Sequence, residues 1–208
     1  MTESARPRRA WLWAAVPIAV LLLSCVGAAG GSFIARQEVA AIPSASPAAV
    51  RSASPSPTIA VRLPNTLLGR AKATDRALVK SAGNAVAAQR TADSGAQSVQ
   101  AAYYGSAARR SLMFVLVVQA KSAEPRLTYV RVVMAMEQQQ KGLDLTDVDP
   151  GPLGGQAACG EAPVSGTPVT FCLWVDAGSY GFVEFFGVHV GPQRTQFLKA
   201  RAQIESVS

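Results

Sequence analysis

The sequence predicts an α+β fold in which a mainly antiparallel sheet is covered by helices. Three observations support this prediction. Helical and strand patterns follow each other in the order helix, two strands, helix, several strands, helix. Residues 112–118 form an uninterrupted apolar run, which is typical of a strand buried on both faces. Residues 169–175 alternate apolar and polar side chains before a glycine-containing turn, as in a β-hairpin.

The first predicted helix covers residues 76–90. Its apolar side chains recur at helical spacing, and Thr74 and Asp75 precede it as capping candidates. The next two elements are predicted strands at residues 98–104 and 112–118. Because the second of these is continuously apolar and is bounded by charged residues, we place it in the centre of the sheet.

Residues 125–139 are compatible with a strand or a helix because they are rich in valine. Pro125 suits the first turn of a helix, and four apolar side chains share one helical face. These side chains are Leu127, Val130, Val133 and Met134. The segment is therefore predicted to be helical.

The last third of the chain is predicted to contain a hairpin and a closing helix. The alternating run at 169–175 leads through an Ala-Gly-Ser-Tyr-Gly turn to a second strand that begins at Phe182. The closing helix covers residues 193–207. Its side chains predicted to pack on the sheet are Phe197, Leu198, Ala202 and Ile204, and those predicted to stay in solvent are Arg194, Lys199 and Arg201.

The amino-terminal part of the chain has the pattern of a membrane anchor. Residues 1–9 carry three arginines and one glutamate, and residues 10–35 carry no charge. A bilayer core of ~30 Å needs about 20 apolar residues, and Trp11 and Trp13 suit its interface. Because positive charge precedes the span, we expect a cytoplasmic tail at residues 1–9, a transmembrane helix at residues 10–35 and an extracytoplasmic remainder.

Two cleavable signals are alternatives for the same segment. Small residues such as Ala28 and Ala29 are compatible with the cut of a secretory signal. The tetrapeptide Leu22-Leu23-Ser24-Cys25 resembles a lipobox, so Cys25 is a possible lipidation site. Each alternative still delivers the rest of the chain outside the cytoplasm.

Residues 36–61 are rich in Pro, Ser and Ala, and the tetrapeptide SASP occurs at 44–47 and again at 52–55. Such a composition cannot bury enough side chain to offset the entropy of ordering. We therefore predict a disordered stalk at residues 36–61. Residues 62–208 are then long enough to form one extracytoplasmic α+β domain with a single core.

The predicted exported domain contains two cysteines, Cys159 and Cys172. Outside the cytoplasm they are expected to form a disulfide, which would tie the loop between them to the hairpin strand. Such a bond restricts the unfolded chain by closing this loop, which is expected to add ~3 kcal/mol to the free energy of unfolding. A redox or metal role is disfavoured because there is no CxxC pattern and His189 is the sole histidine.

Several short motifs occur in the predicted domain, namely Leu153-Gly154-Gly155, Cys159-Gly160, Cys172-Leu173-Trp174-Val175-Asp176, Gly178 and Gly181, with Tyr103-Tyr104-Gly105 upstream. Together they resemble the pattern LGG…CG…CxWxD…G of uncharacterised single-pass membrane proteins of high-GC Gram-positive (actinobacterial) bacteria. The resemblance covers residues 98–206. It implies a membrane-anchored exported domain with a disulfide, and it implies no activity, substrate, cofactor or catalytic residue.

Catalytic sequence patterns such as GxSxG, SxxK, HExxH and the phosphate-binding glycine loops do not occur in the sequence. We therefore predict no catalytic, cofactor-binding or metal-binding residue. His189, in the strand-like stretch 182–190, is interpreted as structural. The acidic cluster Asp144, Asp147 and Asp149 is interpreted as a solvated turn.

Two further positions are weighed as candidate sites. Trp174 and Asp176 form a candidate binding surface, although a tryptophan beside a disulfide usually packs in the core. Glu184 lies in an apolar strand, where burial would perturb its pKa. The orientation in which its side chain faces solvent is favoured.

Charge is distributed unevenly along the predicted domain. Residues 62–131 carry eleven basic and three acidic residues, whereas residues 132–193 carry one basic and seven acidic residues. This asymmetry would attract an envelope protein or an anionic envelope component, provided that it forms a surface patch. Nucleic acid is not expected in this compartment.

These observations favour a non-enzymatic binding or accessory module of the cell envelope. One alternative is a lipoprotein-like binder of a small ligand. The other is an envelope hydrolase that uses carboxylates such as Asp176 and Glu184, which would have to lie about 5 to 10 Å apart in a cleft.

Overall fold

The computed structural model of the protein describes residues 59–109 and 111–207. They form three layers, in which a six-stranded antiparallel sheet has two helices on one face and a third helix on the other. The predicted α+β class is confirmed. The predicted tail, the transmembrane helix and Cys25 lie outside the described residues, as do residues 36–58 of the stalk. Within the described ranges, none of the helices has the length and apolar character needed to cross a bilayer.

The described residues contain three α-helices, ten strands and one short 3-10 helix (Ala107–Arg109). The helices are α1 (Arg76–Ala92), α2 (Pro125–Gln139) and α3 (Val190–Ile204). The strands are β1 (Ile59–Val61), β2 (Thr66–Leu67), β3 (Arg70–Ala71), β4 (Ser98–Tyr104), β5 (Met113–Gln119), β6 (Thr146–Val148), β7 (Gln156–Val164), β8 (Thr167–Val175), β9 (Ser179–Phe186) and β10 (Glu205–Val207). The main sheet has the order β4-β5-β9-β8-β7-β6, and β1 pairs separately with β10, as β2 does with β3.

The three central strands of the sheet, β5, β9 and β8, are buried on both faces. Phe114, Leu116 and Phe182 point toward α1 and α2. Val115 and Trp174 point toward α3. The prediction of a doubly buried strand at 112–118 is confirmed, because its continuous apolar run supplies both cores at once.

Helix α1 begins where the sequence predicts. The Asp75 carboxylate accepts hydrogen bonds from the amides of Ala77 and Leu78, at 2.9 and 3.2 Å, and so satisfies two free donors of the first turn. The helix buries Ala82 and Ala85 against the sheet. Small residues on this face let α1 approach β4 closely.

Helix α2 has the predicted bounds, but the predicted apolar face is largely turned to solvent. Tyr129, Val132 and Met136 pack on the sheet. Three of the four side chains used to predict the helix are exposed, namely Leu127 at 42%, Val130 at 44% and Met134 at 53%, while Val133 is partly buried. Because α2 carries apolar residues on opposite faces, helical spacing identifies the helix without identifying its packing face.

The segment between the two cysteines is a strand pair, which corrects the prediction of a loop. Strands β7 and β8 form a hairpin in which Cys159 lies directly opposite Cys172, with their Cα atoms 4.1 Å apart. Ser165 and Gly166 close the hairpin, both with positive φ, as a two-residue turn requires. The predicted disulfide is present, and it links two strands that are already paired.

Replacing Cys159 and Cys172 with alanine is expected to lower the free energy of unfolding by about 3 kcal/mol, because the unfolded chain regains the freedom of the closed loop. Urea unfolding of the full chain in a mild detergent measures this change. Reduction of the wild-type protein should give the same loss. Thiol titration of the native protein should find Cys25 alone; titration of three thiols would contradict the disulfide.

The two ends of the described chain pair with each other. Ile59–Val61 forms β1, so the last three residues of the predicted stalk belong to the folded domain. The closing helix begins at Val190 and ends at Ile204, after which Glu205–Val207 forms β10 opposite β1. The predicted helix over 193–207 therefore ended three residues too late.

Candidate functional site

Trp174 and Asp176, the predicted binding surface, are both buried beneath α3. Trp174 has no solvent exposure, and its ring centre lies 6.1 Å from that of Phe197 on the helix. Opposite Trp174 on β9, a β-carbon at Gly181 would lie 2.6 Å from the indole, so glycine is needed to make room for the ring. Asp176 is 5% exposed.

Arg201 of α3 reaches the same place, contrary to the prediction that it stays in solvent. Its guanidinium donates to Glu205 Oε2 at 2.7 Å and to Asp176 Oδ2 at 2.8 Å. It also donates to the carbonyl oxygens of Pro150 and Gly154, at 3.0 and 2.8 Å. Arg201 is 1% exposed, so this charge is satisfied entirely within the protein.

The indole of Trp174 and the hydroxyl of Ser179 complete what we call the buried arginine network. Its members are Arg201, Asp176, Glu205, Trp174 and Ser179. Trp174 Nε1 donates to Glu205 Oε1 at 2.6 Å. Ser179 Oγ lies 3.0 Å from Asp176 Oδ2 and also contacts the Glu205 carboxylate.

Several effects within this network act on the pKa of Glu205 in opposite directions. Burial raises the pKa of Glu205, while the nearby guanidinium of Arg201 and the Ser179 hydroxyl act to lower it and Asp176 raises it further. One cation therefore faces two carboxylates in a region without solvent. Each member of the network is hydrogen-bonded to another member, and none is exposed. The network therefore stabilises the fold and offers no surface to a ligand.

Glu184 is buried in the other core, contrary to the favoured solvent-facing orientation. It is 2% exposed and lies in register between Phe114 and Phe171. Its Oε1 atom has no hydrogen-bond partner in the described protein. Burial raises the pKa of Glu184 to about 8, so the carboxyl is mainly protonated at neutral pH.

Asp176 and Glu184 do not form the carboxylate pair that an envelope hydrolase would use. Asp176 bonds to α3 on one side of the sheet. Glu184 lies among the side chains packed against α1 and α2 on the other side. The sheet separates them, and both are withdrawn from solvent.

His189 lies at the start of α3, outside any strand, which corrects its predicted strand position. Its Nδ1 lies 2.8 Å from Glu161 Oε1, and the other oxygen of that carboxylate accepts the Val190 amide at 3.2 Å. The hydrogen bond with His189 lowers the pKa of Glu161. Glu161 therefore satisfies the first amide of α3, while the His189 side chain bonds to Glu161 and makes no capping bond to the helix itself.

The acidic cluster of the sequence is spread over β6 and its two ends: Asp144 precedes the strand, Asp147 lies within it and Asp149 follows it. The Tyr129 hydroxyl donates to Asp147, and Asp149 Oδ1 accepts the Gly151 amide at 2.8 Å. Among residues 59–109 and 111–207, no three His, Cys, Asp or Glu side chains are grouped as a metal site would require.

An exposed apolar surface lies on the outer face of α2. We define this α2 outer face by Leu127, Val130 and Met134, which recur at i, i+3 and i+7 and therefore align along the helix. A shallow depression beside the helix start is lined by Glu124, Pro125, Arg126, Leu127 and Val130. The described residues have one other large exposed apolar side chain, Val79 of α1.

The helix layer that carries this surface has a small excess of basic side chains. Helices α1 and α2 together contain five exposed Lys or Arg residues and one acidic residue, Glu137. The basic residues are Arg76, Lys80, Arg90, Arg126 and Arg131. The residues that cap the two helices, Asp75, Asp93 and Glu124, are acidic. With its caps, the layer therefore carries five basic and four acidic side chains.

Two of these features were missed at the sequence level. Arg201 and Glu205 are spaced i,i+4, a spacing that permits an ion pair, but sequence gives no sign that both are buried. The exposure of the α2 outer face could not be predicted from the sequence, because Tyr129, Val132 and Met136 form an equally apolar face on the opposite side of the helix.

Comparison with known proteins gives no relative for this chain: no family model, curated protein or solved structure matches it. Among the described residues, the α2 outer face is an accessible apolar surface that packing within the domain does not explain.

Proposed function

We propose that this protein is a non-enzymatic binding module of the cell envelope, and that the α2 outer face is its contact surface. The observation that carries the proposal is the exposure of Leu127, Val130 and Met134 in a single row. Exposed apolar side chains scattered singly need no explanation, whereas contiguous exposed apolar patches are found at interaction surfaces.

Packing inside the domain does not account for this row. Helix α2 already uses Tyr129, Val132 and Met136 to bind the sheet. The exposed side chains lie on the opposite side of the helix, so they can be covered only by another molecule or by a part of the chain outside the described residues. A second apolar face adds nothing to the stability of the domain alone.

The location is also part of the proposal. Residues 10–35 have the length and apolar character of a membrane span, and the arginines before them favour a cytoplasmic amino terminus. The buried disulfide between Cys159 and Cys172 supports an oxidising compartment for the domain. The proposed protein is thus single-pass, with residues 36–58 connecting the anchor to an extracytoplasmic domain.

A photo-crosslinking amino acid placed at position 130 of the full chain tests the contact surface in intact cells. We expect an adduct at position 130 that is at least five times as abundant as one from the same probe at position 79. Val79 is a matched control because it is an exposed helical valine with no large exposed apolar neighbour at helical spacing.

Mass analysis of the adduct identifies the class of partner. Equal yields at positions 79 and 130, or no adduct at either, would overturn the assignment of the α2 outer face. Loss of the adduct in a Met134→Asp variant, but not in a Val79→Asp variant, would confirm that the whole row forms the contact.

A further inference from the structure

We propose that the partner of the α2 outer face is an anionic lipid surface, namely the headgroup layer of the membrane that anchors the chain. This inference rests on the proposed function and names the chemistry of its partner. Three observations carry it: the charge around the row of exposed apolar side chains on the α2 outer face, the size of that row, and the place where residues 36–58, which we call the tether, join the domain.

The charge favours anionic headgroups. Arg126 and Arg131 are exposed on α2 beside Leu127 and Val130, and Lys121 is exposed just before the helix. Glu124 is the one acidic residue of residues 121–131, so this stretch carries three basic residues and one acidic residue. Basic residues near an anionic membrane each contribute about 1 kcal/mol of attraction. Apolar side chains flanked by arginine are the composition with which a helix binds at a lipid interface.

The size of the row favours lipid over a protein partner. A stable protein interface buries at least ~1,000 Å² in total and has a packed apolar centre. The α2 outer face consists of three partly exposed side chains on one convex helix. Three such side chains can enter the headgroup boundary without a matching pocket, because lipid adapts to their shape.

The tether enters the domain on the α3 face of the sheet, at the end of the sheet where α2 begins on the other face. Ile59 is the first described residue, and its carbonyl oxygen accepts a hydrogen bond from Gln119 Nε2 at 3.1 Å. Gln119 ends β5, and the following loop leads directly to Pro125. In the same place the Ser122 amide donates to the Ala177 carbonyl at 3.0 Å, which fixes this loop against the β8–β9 turn.

Residues 36–58 are the 23 residues between the predicted span and Ile59. An unstructured linker of this length has an average end-to-end distance of about 25 Å. At that distance from the proposed anchor, a weak lipid contact becomes an intramolecular event with a high effective concentration.

The test uses the full chain reconstituted in vesicles of phosphatidylcholine, with or without about one-third phosphatidylglycerol. A fluorophore is attached at position 130 in a Val130→Cys, Cys25→Ser variant, and acyl-chain-brominated lipids quench it on contact. The control is the same label in a Val79→Cys, Cys25→Ser variant. We expect quenching in phosphatidylglycerol vesicles to be at least twofold stronger at position 130 than at position 79.

The contribution of the two arginines to lipid binding is tested by adding Arg126→Gln and Arg131→Gln to the variant labelled at position 130. The loss expected for each arginine is about fivefold in the bound-to-free ratio, equivalent to about 1 kcal/mol. Equal quenching at the two positions, or quenching at position 130 that does not depend on phosphatidylglycerol, would overturn the lipid inference.

The outcomes separate this inference from the proposed function. A protein adduct at position 130 in cells, without lipid quenching in vesicles, would retain the contact surface and overturn its assignment to lipid. Absence of both the adduct and the quenching would overturn the two together. A lipid adduct in cells with phosphatidylglycerol-dependent quenching would support both.

Discussion

Replacing Arg201 with methionine is expected to lower the free energy of unfolding by about 3 to 5 kcal/mol. Methionine fills a similar volume but leaves the carboxylates of Asp176 and Glu205 without their cation, at 5% exposure each. It also removes the donors to the Pro150 and Gly154 carbonyls. Urea unfolding followed by tryptophan fluorescence measures the change, because Trp174 belongs to the same network.

The matched control is Arg194→Met, since Arg194 is an exposed arginine on the same helix. Its effect should stay within about 0.5 kcal/mol. Adding Asp176→Asn and Glu205→Gln to Arg201→Met removes the unpaired charges and should recover part of the loss. A loss below 1 kcal/mol for Arg201→Met alone would show that the buried charges are compensated in another way.

Replacing Glu184 with glutamine is expected to flatten the pH dependence of stability between pH 5 and pH 8. The folded-state pKa of Glu184 is about 8, whereas an unfolded glutamate has a pKa of about 4.3. In this window the folded state binds more protons than the unfolded state, so stability falls as pH rises. The slope contributed by this group approaches 1.4 kcal/mol per pH unit and ends above pH 8.

Urea unfolding of the wild type and of Glu184→Gln at pH 5, 6, 7 and 8 tests this expectation. The variant should be the more stable of the two at pH 8, and the difference should shrink toward pH 5. Glu161→Gln is the control, because Glu161 is partly exposed and its pKa is lowered by His189. Parallel curves for wild type and Glu184→Gln would show that Glu184 ionises without affecting the fold.

The order of the three helices and the central strands was predictable because their patterns are local. Asp75 marks a helix start by its own chemistry, and the run at 112–118 is too apolar to lie anywhere but in the sheet interior. The pairing of the two cysteines followed from their number in the predicted domain. These inferences do not depend on which segments are in contact in the folded protein.

The candidate site was harder to predict because it depends on tertiary neighbours. Arg201 resembles the solvent-facing Arg194 in sequence, and only the approach of Asp176 and Glu205 from other elements permits its burial. Strand β7 was read as a loop because Gly160 and Pro163 interrupt its apolar pattern. The Asp144 carbonyl approaches Gly160 so closely that a β-carbon there would lie 2.3 Å from it, a requirement that the sequence does not reveal.

The pairing of β1 with β10 has a mechanical consequence. If residues 10–35 anchor the chain as proposed, any pull on the domain reaches it at Ile59, which is paired with Val207. Behind this pair, Val61 lies opposite Glu205, the residue that Arg201 and Trp174 hold in place. Such a pull would be resisted by β10, and the buried arginine network fastens that strand to the core.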